Sequence, residues 1–279
     1  EEYRTLTESN QTDKDGQLIW LYTNDREGQY AAIERAQAKG YSVLLLDGPL
    51  DVHAVSQLEQ KLEKTRFVRV DSDSIEKLIA KEEQRAVVLS ETEQSTLKAI
   101  FEGRLPREAK RNYSISLEAL GADADAVLIT QGEFMRRMQE MARLQPGMNF
   151  YGDLPEGYNV VLNTEHPLIQ RLLTEEAKVV EPKLTALRAE LKEQASLVEA
   201  AQTVQSAKKP EEVTTAEREE LDALRSKQSE IEGKIKSELQ AFGAGELLVG
   251  QLIDLALLGN GLLSGEALAS FIHRSHQLL

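Results

Sequence analysis

The chain has 279 residues, a length sufficient for about two domains, and 41% of them are hydrophobic. Its 47 acidic residues outnumber the 33 basic ones and give a formal net charge of -14, which argues against a nucleic-acid partner held by phosphate neutralisation. Cysteine is absent, which excludes disulfides, thiolate metal sites and cysteine nucleophiles. No apolar run is long enough to span a bilayer and no signal peptide is found, so we expect a cytoplasmic protein without a membrane partner.

The first 75 residues predict a small α/β unit. Residues 1–16 are polar, and residues 7–16 predict a loop or hairpin tip. Apolar runs predict strands at residues 18–22, 43–46 and 67–70, with amphipathic helices between them at residues 26–39 and 52–62. Strands that are apolar throughout and separated by helices indicate a parallel sheet covered by helices.

A region with a less regular alternation of helices and strands follows. We predict helices at residues 75–84, 90–102 and 133–144, strands at 113–117 and 126–130 paired as a hairpin, a further strand at 158–162, and a helix that begins at Thr164. Ser90 and Glu93 have the spacing of a capping box, and Pro167 falls in a first helical turn, where its missing N–H costs little.

Residues 175–242 contain few aromatic residues and much Glu, Lys, Ala and Gln, and they predict a long antiparallel helical hairpin. Apolar residues at spacings of three and four form the predicted seam: Leu184, Leu187, Leu191, Val198 and Ala201 on one helix, and Leu221, Leu224, Ile231, Ile235 and Phe242 on the other. The alternative for this segment is a partly disordered, charged linker.

The last stretch, residues 246–279, predicts two short apolar helices joined at Gly259, Asn260 and Gly261. Such a short hairpin cannot bury both of its faces by itself. The partner we predict is the same hairpin of a second copy, which would give a four-helix bundle across a two-fold axis. The alternative is that the hairpin packs on its own domain. The predicted interface residues are Leu248, Leu252, Leu255, Leu268, Phe271, Ile272, Leu278 and Leu279.

Residues 134–144, FMRRMQEMARL, hold three of the four methionines in the chain. Methionine is flexible and polarisable, which suits a surface that accepts varied apolar partners. The apolar residues of this segment are Phe134, Met135, Met138, Met141 and Leu144. The alternative for this face is ordinary core packing.

Signals for catalysis and metal binding are few. His273 and His276 are three residues apart, a spacing that could hold a metal, but no carboxylate lies at a matching offset and a solvated pair is favoured. Asp47, Asp51 and Asp71 lie at predicted strand ends, where carboxylates of α/β enzymes often act.

Three runs, in order, resemble the ninety-kilodalton heat-shock protein chaperones. Residues 16–51 are similar to the end of that family's middle domain, including its Lys-Gly-x-x-Val-Leu-Leu-Leu pattern, which begins here at Lys39. Residues 162–168 match its Leu-Asn-x-x-His-Pro-Leu signature through Leu162, Asn163, His166, Pro167 and Leu168. Residues 252–279 resemble its Asp-x-Ala-Leu-Leu segment and last helix.

The resemblance implies part of an ATP-dependent, homodimeric chaperone that binds partly unfolded client proteins. Residues 1–75 would be the end of the middle domain and residues 76–279 the C-terminal dimerisation domain, with an insertion at about 175–242 and dimer helices at 246–279. The ATP and magnesium site would lie upstream, in agreement with a first residue that is not methionine, so we expect no cofactor, no catalytic residue and no enzyme activity in this part. The methionine-rich segment would contact clients.

The predicted fold class is therefore α+β: a small βαβαβ subdomain followed by a mixed domain with an inserted helical hairpin and a C-terminal helical hairpin. The alternative function is a small α/β enzyme or effector module fused to a coiled-coil dimeriser. A third possibility is a structural scaffold built on the inserted hairpin.

Overall fold

The computed structural model describes residues 2–48, 50–81, 85–132, 136, 155–209 and 213–278. In its first part the elements are α1 (Glu2–Gln11), β1 (Leu18–Thr23), α2 (Tyr30–Ala38), β2 (Val43–Leu45), α3 (Asp51–Lys61), β3 (Thr65–Arg69), α4 (Ile75–Leu78) and α5 (Glu91–Glu102). Those that follow are β4 (Arg111–Glu118), β5 (Val127–Thr130), β6 (Glu156–Asn163), α6 (Pro167–Val179), α7 (Glu181–Ser206), α8 (Thr215–Gly245), α9 (Leu247–Gly259) and α10 (Gly265–Leu278). The mixture of two small sheets and long helices confirms the predicted α+β class.

Two units divide the chain. The first comprises Glu1–Leu89, Leu105–Ile169 and Gly250–Leu279, and the second comprises Ser90–Arg104 and Gln170–Val249. The domain boundary near residue 75 that the family resemblance implies stays a prediction.

The first unit contains the predicted parallel sheet, with strand order β2-β1-β3. Ile19 and Leu21 of β1 pack in one apolar cluster with α2, while Tyr22 packs with Phe67 and Val55 in a second cluster. Alternate residues of the central strand therefore fill two cores, which explains why the run is apolar at nearly every position.

Helix α1 includes residues 7–11, for which the polar composition predicts a loop, so that part of the prediction was wrong. Gln11 is buried and its amide Nε2 donates to the Ile19 carbonyl oxygen at 2.8 Å, while its Oε1 accepts from the Ser42 N–H at 2.7 Å. The Trp20 indole N–H donates to the Thr7 hydroxyl at 3.0 Å. These hydrogen bonds, together with the edge-to-face contact between the rings of Tyr3 and Trp20, hold this helix to the sheet, and a hydrophobic pattern cannot reveal the hydrogen bonds.

Helix α4 is shorter than the predicted helix at residues 75–84. Ile79, at 1% exposure, belongs to the core of the parallel sheet, and the Ala80 carbonyl oxygen accepts from the Lys14 N–H at 2.8 Å. The Ala80 carbonyl group thus forms its hydrogen bond with Lys14 instead of within a longer α4. Residues 82–84 lie outside the described residues.

The second sheet of this unit has strand order β4-β6-β5 and corrects the predicted hairpin between residues 113–117 and 126–130. Strand β6 lies between the two: Val160 is the partner of Ile115 in a parallel pair and of Ile129 in an antiparallel pair. Val160, Val161 and Leu162 have no exposed surface. A strand that is apolar on both faces is most stable in the central position, and this preference overrides adjacency in the chain.

In the second unit, α5 begins as the sequence predicts. The Ser90 hydroxyl accepts from the Glu93 N–H at 3.3 Å, and the Glu93 carboxylate accepts from the Ser90 N–H at 2.8 Å. This reciprocal capping box satisfies backbone donors at the first turn, which otherwise have no partner in the helix.

Helices α7 and α8 form the predicted helical hairpin. The Gln194 amide donates to the Leu224 carbonyl oxygen at 3.0 Å, and Lys227 pairs with Glu190 at 3.5 Å, so the two helices run antiparallel. The most buried seam residues of the two helices are Leu184, Gln194, Leu221, Ile231, Ile235 and Leu239. Gln194 is a buried amide among apolar residues, and its hydrogen bond across the seam favours one register.

The start of α8 is capped by Thr214, whose hydroxyl accepts from the Glu217 N–H at 3.3 Å. Hydrogen bonds from Lys208 and from Thr214 lower the pKa of Glu217 to about 2. The carboxylate therefore stays ionised at the positive end of the helix dipole, where a negative charge is stabilising.

At its other end α8 crosses α5 at very short range. A Cβ atom added at Gly243 would overlap the Ile100 carbonyl oxygen, and one added at Gly103 would overlap the Gln240 carbonyl oxygen. Glycine at both positions lets the two backbones touch, because neither helix places a side chain between them.

Among the described residues, no single helix combines the length and apolar composition of a membrane span. Helices α8 and α9 reach that measure together, by length and composition alone, as a pair bent by 75°.

We predict that Gly243→Ala destabilises the second unit by about 2 kcal/mol, because the added methyl group overpacks a backbone contact that cannot open cheaply. Gly233→Ala is the matched control: nothing lies within 4 Å of its Cβ position, so alanine should raise stability by about 0.5–1 kcal/mol through its higher helix propensity. Thermal unfolding followed by circular dichroism compares the two. Equal effects of the two substitutions would contradict the close crossing.

Candidate self-association surface

Helices α9 and α10 form a hairpin closed by a tight turn. The Gly261 and Leu262 N–H groups donate to the Leu258 and Leu257 carbonyl oxygens, at 3.0 and 2.9 Å. Gly261 and Gly265 have positive φ values of 65° and 58°. Glycine adopts this left-handed geometry without steric cost. Helix α9 therefore ends at the glycine turn that the sequence predicts.

Polar side chains tie α10 to α9. Arg274 forms an ion pair with Asp254, and the two side chains are only 17% and 15% exposed. The Gln251 amide donates to the Ser275 hydroxyl at 2.9 Å, and that hydroxyl donates to the Phe271 carbonyl oxygen at 2.9 Å. Since only partnered charges are tolerated at this burial, the pair fixes how the two helices face each other.

One face of α9 is covered within the chain itself. Leu252, Ile253 and Leu257 are 6%, 1% and 2% exposed, and Phe271 of α10 is 9% exposed. Two of the predicted interface residues, Leu252 and Phe271, therefore have little surface left for a second copy. In this respect the hairpin packs on its own chain.

Other apolar residues of the hairpin remain open. Leu255 is 49%, Leu258 41% and Ile272 48% exposed, and Leu268 is half-buried. These four residues are called the C-terminal apolar surface below. Leu258 was not among the predicted interface residues, although its spacing of three from Leu255 was a usable signal.

The remaining predicted interface residues add little to this surface. Leu248 is half-buried, while the Leu278 side chain and Leu279 lie outside the described residues. The interface itself stays a prediction.

The predicted client-contact residues, Phe134, Met135, Met138, Met141 and Leu144, also lie outside the described residues. Arg136 is described: it is helical and 4% exposed, and its Nη2 donates to the Tyr22 hydroxyl at 3.1 Å. Just before it, the Gln131 N–H donates to the Asp71 carbonyl oxygen at 3.2 Å, and Gln131 Oε1 accepts from Arg69 at 3.1 Å. Residues 131 and 136 are thus anchored at the ends of β1 and β3.

Two of the three aspartates of the enzyme alternative, Asp51 and Asp71, have local structural roles. Asp51 accepts from the Gly48 N–H at 2.8 Å, and Asp47 is exposed. Asp71 accepts two hydrogen bonds from Arg69 and one from the Gln29 amide at 2.9 Å. The Arg69 guanidinium balances the negative charge of this carboxylate, and the hydrogen bonds fix its position.

His273 and His276 are both exposed. Within the described ranges no group of three or more His, Cys, Asp or Glu side chains is arranged to hold a metal ion.

The Leu-Asn-x-x-His-Pro-Leu signature at residues 162–168 stabilises the local structure, a role that the sequence analysis did not predict. Asn163 is fully buried; its Nδ2 donates to the Gly121 carbonyl oxygen at 2.7 Å, and its Oδ1 accepts from the Leu120 N–H at 3.1 Å. His166 Nδ1 accepts from the Leu168 N–H at 3.1 Å at the start of α6. The motif closes the turn after β4 and caps the helix after β6.

We predict that Arg274→Met lowers the free energy of unfolding by about 3 kcal/mol, because it leaves the Asp254 carboxylate buried without its charge partner. The double variant Asp254→Leu/Arg274→Met removes both charges and should recover most of that loss. Urea unfolding of both variants measures the difference. A double variant as unstable as the single one would show that the pair acts through packing rather than charge.

Relatives of known name match the chain over its whole length, although no family model matches it. It is 56% identical over all 279 residues to the chaperone protein HtpG of Porphyromonas gingivalis. Proteins of the same name from Bacteroides fragilis and Bacteroides thetaiotaomicron are 46% and 44% identical over the same 279 residues. The chain spans 41% of the length of each of these relatives, and none of the three names supports the enzyme alternative. Identity at this level over the whole chain confirms the resemblance seen in the sequence: the chain is similar throughout its length to part of the HtpG chaperones.

Proposed function

We propose that this chain is the C-terminal, self-associating part of an ATP-dependent chaperone that assists protein folding. The observation that carries the proposal is the 56% identity over all 279 residues to a protein named chaperone HtpG, of which the chain spans 41%. On this proposal the ATP and magnesium site lies in the portion of the protein beyond this chain, and the chain itself hydrolyses no ATP. We place the chaperone in the cytoplasm, in keeping with its acidic, cysteine-free composition.

Two copies would join through the C-terminal apolar surface. Leu255, Leu258 and Ile272 are each between 41% and 49% exposed on a chain whose net charge is -14, so apolar side chains stand out there against an acidic exterior. Removing apolar surface from water favours association by about 25 cal/mol per Å², and a surface that is the same on both partners suits a two-fold axis.

Such a dimer would raise the effective concentration of the domains attached to its two chains. Two domains tethered through a common base meet at millimolar effective concentration, on the order of what short linkers give, without any new contact between them. A stable dimer would therefore allow the remaining domains of two chains to close around a client in turn.

We predict that Leu255→Glu/Ile272→Glu makes the chain monomeric at micromolar concentration, because each carboxylate would have to be buried without a partner. The expected loss is about 3 kcal/mol, which is more than a hundredfold in the dimer dissociation constant. Sedimentation velocity measures it.

The matched control for this experiment is Leu6→Glu/Val88→Glu. It introduces the same charges at two apolar residues that are 68% and 93% exposed outside the C-terminal hairpin, and it should leave the dimer unchanged. A parent chain that is already monomeric, or a control that dissociates as readily, would overturn the proposed surface.

We also propose that the methionine-rich segment binds partly unfolded clients. Met138→Glu/Met141→Glu should weaken suppression of aggregation of a denatured client several-fold, since the flexible apolar contact becomes charged. The dimer should persist in sedimentation. Leu197→Glu/Val204→Glu, at residues of α7 that are 48% and 54% exposed, is the control with the same charge change. Unchanged suppression by the methionine variant would reject the client surface.

A further inference from the structure

A buried carboxylate lies near the joint between α6 and α7, in the second unit. Leu172, Glu176, Val180 and Leu184 follow one another at a spacing of four residues and are 0%, 5%, 3% and 0% exposed. Residues at this spacing lie on one side of a helix. Glu176 therefore occupies a place in a buried stripe whose other members are apolar.

The Glu176 carboxylate lacks the contacts that usually accompany a buried charge. Within the part of the chain that the structure describes, its Oε1 atom is buried and has no hydrogen-bond partner. The charged neighbours on its own helix, Arg171 and Glu175, pair with each other at 2.8 Å. An ionised carboxylate in such a place costs free energy, because neither water nor a donor replaces its lost hydration. The protonated form carries no charge and costs less.

Two charged groups of α7 act on this carboxylate. Burial is the largest cause that raises the pKa of Glu176, the Glu181 carboxylate raises it further, and the Arg188 guanidinium lowers it. Arg188 lies 2.9 Å from Glu181, and its Nη2 donates to the buried Thr96 hydroxyl of α5 at 3.1 Å. The cation is thus engaged by two other groups, and it offsets only part of the cost of a charge on Glu176.

A proline interrupts the helical backbone at the same joint. Pro182 is the second residue of α7; it has no N–H to donate, and its ring crowds the carbonyl group of Lys178. Val180, between the two helices, has φ and ψ values of -103° and -43°, and its N–H donates to the Glu176 carbonyl oxygen at 2.8 Å. The ladder of backbone hydrogen bonds is weakened here, and helices bend at such points.

From the buried carboxylate and the proline joint together, we infer that Glu176 makes the joint between α6 and α7 a proton-controlled hinge. When the carboxylate takes up a proton, the apolar stripe packs around a neutral group and the joint is tight. When it releases the proton, the buried charge favours conformations that admit water, and the joint opens more often. This device goes beyond the proposed function, because it requires neither a dimer nor the methionine-rich segment.

The direction of the pH dependence follows from the raised pKa of Glu176. A carboxyl group with a higher pKa in the folded chain than in the unfolded chain binds its proton more tightly when folded. Its stabilising effect is complete below the unfolded pKa, about 4.3 for glutamate, and is lost as the pH rises through the folded pKa. The joint should therefore be tighter in mild acid than at neutral pH.

Hydrogen exchange of the full chain, read by mass spectrometry on peptides from residues 170–190, tests the hinge between pH 5.5 and pH 8, a range above the sequence pI of about 4.9. Each rate is divided by the intrinsic rate at that pH to give a protection factor, which should be at least about threefold higher at pH 5.5. Glu176→Gln should give high protection at both pH values. Glu193→Gln, the same change at an exposed residue of α7, is the matched control and should keep the pH dependence of the parent.

Two further variants separate proton binding from a purely structural role. Glu181→Gln removes a negative charge that acts on Glu176 and should move the midpoint of the protection change to lower pH. Arg188→Met removes the positive charge and should move the midpoint to higher pH, whatever its effect on the overall level of protection. These opposite shifts decide the matter even if Glu176→Gln does not fold.

Three results would overturn the inference. The first is a parent chain whose protection factor does not change with pH. The second is a folded Glu176→Gln variant that keeps the pH dependence of the parent, and the third is a pair of charge variants whose midpoints do not move in opposite directions.

Discussion

The second sheet depends on one strand that arrives late in the chain and takes the central position. Strand β6 is apolar on both faces, and only a place between β4 and β5 buries Val160, Val161 and Leu162 completely. Where β6 ends, Asn163 turns its amide back into the loop that follows β4. One buried side chain thereby joins a turn, a strand end and the approach to α6. A polar group buried this deeply is tolerated only because its donors and acceptors have partners.

The local features of the fold were accessible from the sequence, and the non-local ones were not. The capping box at Ser90 and the glycine turn at Gly261 depend on neighbours a few residues away, and both could be predicted from spacing and residue type. Of the ten seam residues predicted from spacings of three and four for the α7–α8 hairpin, four are buried, Leu184, Leu221, Ile231 and Ile235, and the buried Gln194 and Leu239 were not predicted. The pairing of β6 with β4 joins residues more than forty apart, such as Ile115 and Val160, and adjacency favoured a hairpin instead. Helix α1 was missed because its anchors, Thr7 and Gln11, are polar.

The structure separates the predicted interface residues into buried ones and exposed ones. An apolar helical pattern shows which residues prefer to leave water, but it does not show whether they do so inside one chain or between two. Leu252 and Leu255 are three residues apart in the same pattern, yet one is 6% and the other 49% exposed. The Arg274 and Asp254 pair was not foreseen either, since its members lie twenty residues apart on different helices. Burial of a charge pair has no signature in hydrophobic periodicity.

The length of α8 and its close contact with α5 determine how the second unit can move. Its 31 residues form one element, roughly 46 Å long at 1.5 Å per residue, with the capped end beside Thr214 and the close crossing at Gly243. Where two helix backbones are in direct contact, no flexible side chains lie between them that could rearrange when one helix moves. A displacement of α8 near Gly243 therefore has to move the backbone of α5 as well, so the two helices are expected to shift together as one body.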